Sequence, residues 1–337
     1  MNYESVRLDK NLYKAEGGFS AQLEKLDPGK NYIGTDISGL DAFERQLKRF
    51  DIKVSGPHSD SIAKFFATSE SAALFPEYVA RAVAQGSRDN AIIDEIIASK
   101  TEIESMDYRS ITTDLRKDNA ADTISDTIAE GGDIPETSIS LNEHLIKLKK
   151  RGRLLSASYE AIRFQRIDVI SVALSQIGVN LSKRQLADAV DFLLNGNINV
   201  PAAGKVLRTG TALTYNDLLK LWNSFEDFEM NVMLASPDMM MEILSLSEFK
   251  DPVSGLNFQT TGSLATPMGA KLIRSSVVPT GKIIGMDKRF ALEMVTSGGI
   301  CVEYDKLINT QMERAAVTSI YGFSKIFPDA VKVLEKQ

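Results

Sequence analysis

Lys147, Lys149, Arg151 and Arg153 occupy every second position of the run Leu145-Ile-Lys-Leu-Lys-Lys-Arg-Gly-Arg-Leu154. Period two is the repeat of a β-strand, so the four cations point to one face while Ile146, Leu148 and Leu154 point to the other. Four like charges on one face repel unless something acidic lies opposite. Nucleic-acid phosphate is one such partner. Another is the acidic run Asp122, Asp126, Glu130, Asp133 and Glu136, either across the same ribbon or on a second copy of the chain. Of the two, protein–protein pairing is favoured, because no aromatic residues interleave with the lysines as a single-strand platform requires. A plain solvated cationic face is the third reading.

The residues of ordinary catalysis are scarce. His58 and His144 are the only histidines, too few for a multi-histidine zinc site, and most histidine-based acid/base schemes lose their usual player. The single cysteine, Cys301, excludes an intramolecular disulfide, and its place between Ile300 and Val302 leads us to expect a small core residue. Gly204-Lys205 is followed by Val206 and Gly281-Lys282 by Ile283, so neither completes a phosphate-binding loop, and Gly131-Gly132 lacks the third glycine of a dinucleotide fingerprint. There is no Gly-x-Ser-x-Gly elbow, His-Glu-x-x-His pair or calcium loop. The carboxylate pairs Asp94/Glu95 and Glu102/Glu104 read as solvated faces. We therefore assign no catalytic, cofactor-binding or metal-ligating residue and expect a protein that is not an enzyme.

The elements that carry the basic strip are unusual in order. A polar segment from about Ser110 to Glu136 is too long and too polar to fill a core, so it is either disordered or made to lie on another surface. It feeds the basic strand, after which helical spacing begins near Ser158. This continues, past a junction at Gln165–Asp168, to Leu194, with Val169, Ile170, Ala173, Ile177, Leu181, Leu186, Ala189, Val190 and Leu193 as its apolar stripe. Asn195-Gly196 should stop it.

Upstream, turn-rich residues surround a short helix that Asp41 can cap, with Phe43, Leu47 and Phe50 on one face. Pro76 opens a helix carrying Val79, Ala82 and Val83. Downstream, Thr214 caps a helix bearing Leu218, Leu221 and Trp222, Asn231–Ala235 forms a buried strand, and Ser236-Pro237 starts another helix. Short β-type pieces follow over Ala270–Val278, Gly281–Met286, Val317–Tyr321 and Phe323–Phe327.

The class is α+β. At 337 residues, 43% of them hydrophobic and 25% charged, the chain can bury a real core, and its net charge of −6 implies no global basic surface. Its start has no apolar signal region and no run is long enough to span a membrane, so synthesis in the cytosol without a membrane partner is expected.

Several pieces of this chain, taken in order, resemble the major capsid proteins of tailed bacteriophages, the Hong Kong 97 type fold. They are Ala129-Glu-Gly-Gly-Asp-Ile-Pro-Glu136, Leu148-Lys-Lys-Arg-Gly-Arg-Leu-Leu-Ser-Ala-Ser-Tyr-Glu160, Leu193-Leu-Asn-Gly-Asn197, Asn231-Val-Met-Leu-Ala-Ser-Pro-Asp-Met239, Thr266-Pro-Met-Gly-Ala-Lys-Leu-Ile-Arg-Ser-Ser-Val-Val-Pro279 and Gly285-Met-Asp-Lys-Arg-Phe290. The likeness extends from about Thr68 to Leu334.

It implies an N-terminal arm (1–67), an extended ribbon loop (103–145), a peripheral domain (68–102, 146–196 and 307–337, with a spine helix at 168–194) and an axial domain (197–306). It also implies self-assembly into pentamers and hexamers of an icosahedral shell around double-stranded DNA, contacted non-specifically. The arm would be uncleaved; a separate scaffolding protein, a portal and decoration proteins would be partners. The place would be the virion capsid, assembled in the host cytoplasm.

Lys147, Lys149, Arg151, Arg153, Asp126, Glu130, Asp133 and Glu136 would then make intersubunit contacts. Some relatives crosslink a ribbon lysine to an asparagine with help from a glutamate. Lys117, Asn309 and Glu313 are the residues that could be cast in those roles, although a shell without crosslinks is expected. An encapsulin-like compartment holding cargo enzymes shares the implied fold and is the alternative, while a cytosolic enzyme using Asp/Glu chemistry fits badly with the missing motifs.

Overall fold

A computed structural model describes residues 3–13, 18–88, 92–104, 107–113, 139–141, 145–198, 200–250 and 268–336. In chain order the elements are α1 (Gly18–Leu26), α2 (Ala42–Arg49), α3 (Ser69–Ala72), α4 (Phe75–Arg88), β1 (Ser99–Glu102), β2 (Asp107–Tyr108), β3 (Ile111–Thr113), β4 (Ile139–Leu141), β5 (Ile146–Lys147) and β6 (Lys149–Ser158). Then come α5 (Tyr159–Phe164), α6 (Ile167–Asn195), β7 (Gly204–Leu207), α7 (Tyr215–Asn223), β8 (Val232–Ala235), α8 (Pro237–Ser245), α9 (Ser247–Lys250), β9 (Lys271–Arg274), β10 (Lys282–Met286), β11 (Leu292–Thr296), β12 (Cys301–Leu307), β13 (Met312–Lys325) and β14 (Val331–Glu335). The α+β class is as expected.

Local signals account for most boundaries. Asp41 and Glu44 form a reciprocal capping box on α2, and Thr214 does the same for α7 with Asp217. The spine α6 runs 29 residues, about 43 Å at 1.5 Å per residue, and ends where Gly196 takes φ +64°, the left-handed conformation that glycine adopts freely.

The chain divides into two compact units. Residues 1–91, 150–183 and 299–319 form one, and 92–149, 184–298 and 320–337 form the other. The chain passes from one unit to the other within α6 and within β13.

In the first unit, Val6, Leu8, Phe19, Leu23, Phe43 and Leu47 are buried with Leu74, Val79, Val83, Ile167, Leu174 and Leu181. Described residues of the expected arm, Val6 to Phe65 among them, thus contribute to this core. Arg45 explains part of that order: fully buried, it donates from Nε to Asp27 Oδ2 at 2.7 Å and from Nη1 to the Leu40 carbonyl at 2.6 Å, and it lies over the Tyr32 ring. Helices α4 and α6 cross at Gly86 and Gly178 with backbone against backbone, a Cβ on Gly178 falling 2.1 Å from the Val83 carbonyl oxygen.

The buried stripe of α6 differs from the expected one. Leu174 is fully buried, whereas Val169 is 56% exposed and Ala173 also faces out. Residues 169–174 are apolar on nearly every side of the helix, so periodicity there does not choose a face, and the docking of Gly178 on α4 does. Cys301 is exposed, contrary to the core position expected. On β12, Val302 and Tyr304 turn to the core, and strand alternation turns Cys301 out.

In the second unit a five-stranded sheet of order β7-β14-β10-β8-β9 packs against α7 and α8 through Leu218, Leu221, Met233, Met239, Ile243, Ile283 and Leu334. β14 pairs parallel with β7 and antiparallel with β10, for example Leu334 with Val206 and with Ile283. In the same unit β11 lies between β1, parallel, and the last residues of β13, antiparallel. The pieces Val317–Tyr321 and Phe323–Phe327 belong to the single long strand β13, which ends at Lys325.

Candidate assembly surface

Short paired strands flank the polar segment. Asp107 and Tyr108 of β2 pair with Lys147 and Ile146 of β5, and Ile111–Thr113 pair with Leu141–Ile139. This two-stranded ladder is a ribbon, and its root is held in three ways. First, β1 pairs with β11, and Ile103 N–H donates to the Thr296 carbonyl at 2.9 Å.

Second, Ile146 and Leu148 lie on the backbone of Gly322, where an added Cβ would meet each of them at 2.9 Å. Only a residue without a side chain leaves room for both. Third, the buried carboxylate of Glu293 accepts hydrogen bonds from the hydroxyls of Thr101 (2.7 Å), Tyr108 (2.8 Å) and Ser110 (2.5 Å). Burial, and then that carboxylate, push the Tyr108 hydroxyl above its ordinary pKa.

The returning strand carries the basic residues. Lys147, Lys149 and Arg153 are exposed and Arg151 is half-buried; Lys147 and Lys149 belong to the second unit, Arg151 and Arg153 to the first. The expected alternation changes phase along the way. Ile146 and Leu148 turn inward, but further along Leu155 and Ala157 do so, and Leu154 is 55% exposed. Gly152 lies between the two phases, so close to β13 that a Cβ there would come within 2.7 Å of the Val317 carbonyl oxygen. The expected four-charge face is accordingly interrupted at Arg151.

Beside Lys147 and Lys149 is a groove of about 250 Å³ with Phe192 and Phe323 among its apolar lining and Asp188 and Asp191 on its helical side. Tyr321 donates its hydroxyl to Asp188 Oδ2 at 2.6 Å. Nearby, Lys325 is buried and donates from Nζ to the carbonyls of Leu193 (3.0 Å) and Pro201 (2.7 Å); the Leu193 carbonyl, in the last turn of α6, also accepts from the Ala203 N–H at 3.1 Å. Burial pushes its ammonium down to about 8.

Asp126, Glu130, Asp133, Glu136 and Lys117 lie outside the described residues. Asn309 is exposed in the turn between β12 and β13, and Glu313 is buried on the inward face of β13, where its carboxylate adds to burial in raising the pKa of Tyr304. Glu95, read from the sequence as part of a solvated face, is held below its ordinary pKa by Lys271, 2.8 Å away. Among the described residues no group of three or more His, Cys, Asp or Glu is placed to hold a metal ion.

Sequence reasoning missed Glu293 and Lys325. Each had a signal: Glu293 is the lone charge in Ala291-Leu-Glu-Met-Val-Thr296, and Lys325 stands between Ser324 and the apolar Ile326-Phe327.

No curated protein matches the chain. Among solved structures, a virus-like particle from Pyrococcus furiosus aligns over 77% of this chain and 98% of its own at 13% identity and a TM-score of 0.51. Gordonia phage Cozz aligns over 74% and 87% at 16% identity and a TM-score of 0.54. The capsid of a native GTA particle aligns over 73% and 90% at 13% identity and the same TM-score of 0.54.

At such identities the likeness concerns the fold, which is the Hong Kong 97-like capsid fold. The family model described as phage capsid protein matches residues 142–312, from just before the returning strand through the spine to the start of β13 and just over half of the chain. The chain is therefore a structural shell protein, not an enzyme, and belongs to the phage capsid protein family.

Proposed function

We propose that copies of this chain assemble into the pentamers and hexamers of an icosahedral shell enclosing double-stranded DNA, with the ribbon of one copy lying on its neighbour. In this reading the basic residues Lys147, Lys149, Arg151 and Arg153 of the returning strand meet the acidic run Asp126, Glu130, Asp133 and Glu136 of an adjacent copy. The observation that carries it is the ribbon itself. Two strand pairs, β2 with β5 and β3 with β4, flank the polar segment, with Lys147 and Lys149 exposed on the returning side, and a polar ladder of that kind gains stability by lying on another surface.

Contacts between unlike patches generate closed rings when the rotation closes, and many weak contacts add over a lattice. The sheet of β7, β14, β10, β8 and β9 is assigned to the axial domain and the spine to the peripheral one. The N-terminal arm, 1–67, stays with the subunit uncleaved, its described apolar residues packed in the core of the first unit. A separate scaffolding protein, a portal and decoration proteins complete the particle, which is built in the host cytoplasm.

Electron microscopy of the purified protein, with nuclease treatment before extraction of nucleic acid, tests the proposal. Large closed particles with five- and six-fold clusters and protected double-stranded DNA are expected from infected cells. Particles holding protein cargo and no DNA would favour the encapsulin-like compartment, and small oligomers under all conditions would refute a shell. A boiled denaturing gel is expected to show a monomer band; a ladder of covalent multimers would instead favour the crosslink of Lys117 with Asn309 beside Glu313.

A further inference from the structure

We infer that Glu293 is the positioning residue that fixes the direction in which the ribbon leaves the subunit; the inference rests on the reading of the ribbon as an intersubunit element. Backbone pairing between the outgoing chain and β11 ends where Ile103 N–H meets the Thr296 carbonyl. Beyond it, among the described residues, β2 pairs with β5 alone. The hydroxyls of Tyr108 and Ser110 reach back to β11, both to Glu293, and Thr101 of β1 supplies a third donor to the same carboxylate. Glu293 and Ser110 are 6% and 1% exposed, and among the described residues no Lys or Arg lies within 4.0 Å of that carboxylate.

An ionised carboxylate only accepts, so all three hydroxyls must turn their protons towards it at once. Removing one donor leaves a buried charge short of partners, which costs more than the bond itself contributes. The arrangement is therefore cooperative: the root is docked with three donors in place, or it lifts and Glu293 meets water. A glutamine of the same shape can still accept from Thr101 and Tyr108 at its one oxygen, but its N–H₂ group can only donate towards Ser110, so that bond must reverse and the charge that strengthens all three is lost.

The test is amide hydrogen exchange of the unassembled protein, read on peptides covering 99–104 and 107–110, in wild type, Glu293→Gln, Tyr108→Phe, Ser110→Ala and the triple variant. Faster exchange of those peptides, at least tenfold in Glu293→Gln, is expected while peptides from α7 and β10 keep their rates. The triple variant should exchange no faster than Glu293→Gln alone, because all three substitutions remove one shared docking.

Independent, multiplying effects of the substitutions would overturn the inference, and so would unchanged exchange in a folded Glu293→Gln protein. Tyr108→Phe and Ser110→Ala leave β11 untouched, so they decide the matter if Glu293→Gln fails to fold. Closed particles should also form in lower yield from Tyr108→Phe/Ser110→Ala than from wild type, and an unchanged yield would overturn the assembly role. A failure of the shell reading itself would show separately, as wild-type protein that forms no particles.

Discussion

Replacing Gly178 by Ala sets two opposing effects against each other, and the geometry decides the sign. In an isolated helix the change should stabilise by about 1 kcal/mol, since glycine has the greater conformational freedom to lose. In this protein the new Cβ would stand 2.1 Å from the Val83 carbonyl oxygen and 2.7 Å from the Ser87 nitrogen. Carbon and oxygen rest at about 3.3–3.6 Å, so α4 and α6 must part by about 1 Å. The atoms met are backbone, and no side-chain rotation relieves the contact.

Overpacking of this kind costs about 1–3 kcal/mol and sometimes more, and parting the helices also loosens Val79, Val83 and Leu174, all fully buried. The net expectation is a loss of about 2 kcal/mol, read as a lower urea midpoint at unchanged slope by circular dichroism. Gly86→Ala should behave alike, its Cβ falling 2.2 Å from the Ser175 carbonyl oxygen. The double variant should cost less than the sum, because one displacement relieves both clashes. Gly210→Ala, with nothing within 4 Å of its Cβ, is the control and should be nearly neutral. A Gly178→Ala protein as stable as wild type or more so would refute a backbone-to-backbone crossing.

Lys325 should make stability rise with pH. Its folded pKa, lowered from 10.5 to about 8, means that the unfolded chain binds more protons between those values, so its contribution is fully present above 10.5 and is lost as pH falls through about 8. Urea midpoints of wild type and Lys325→Met over that range should converge at high pH, and parallel curves would count against it. Burial opposes ionisation of Asp217, yet hydrogen bonds from Thr214 and Thr209 outweigh it and hold the carboxyl at about 2 against an ordinary 3.8. Its contribution is present above 3.8 and is lost as pH falls through about 2, and Asp217→Ala should cost about 2 kcal/mol at neutral pH by removing a cap and buried hydrogen bonds. Replacing Lys147, Lys149, Arg151 and Arg153 together by Ser should lower particle yield at low salt while leaving the melting curve of unassembled protein within a degree or two, and normal assembly would make the strip merely solvated.

Much of the fold was legible along the chain wherever one local rule acts alone. Asp41 and Thr214 announced their helices because a side-chain acceptor three residues before a free N–H needs no tertiary partner. The spine and its stop at Gly196 followed from a long apolar repeat and a residue free to take positive φ. The pattern did not resolve positions at which two faces are equally apolar or where a strand meets more than one neighbour. Val169 and Leu174 exchanged places against expectation because only the close approach of α4 to Gly178 selects a face.

For the surface of assembly the same division holds. The scarcity of histidine and the absence of nucleotide or hydrolase motifs directed function away from catalysis, and the alternating cations marked the returning strand, since composition and period two need no partner to be read. Glu293 stands in the sequence only as the lone charge of an apolar run; its partners Thr101, Tyr108 and Ser110 come to it on folding from 183 to 192 residues away in the chain. Lys325 and the break in the basic face at Gly152 were hidden for the same reason. Burial and hydrogen bonding between segments far apart in the chain depend on three-dimensional distance, to which local spacing is blind.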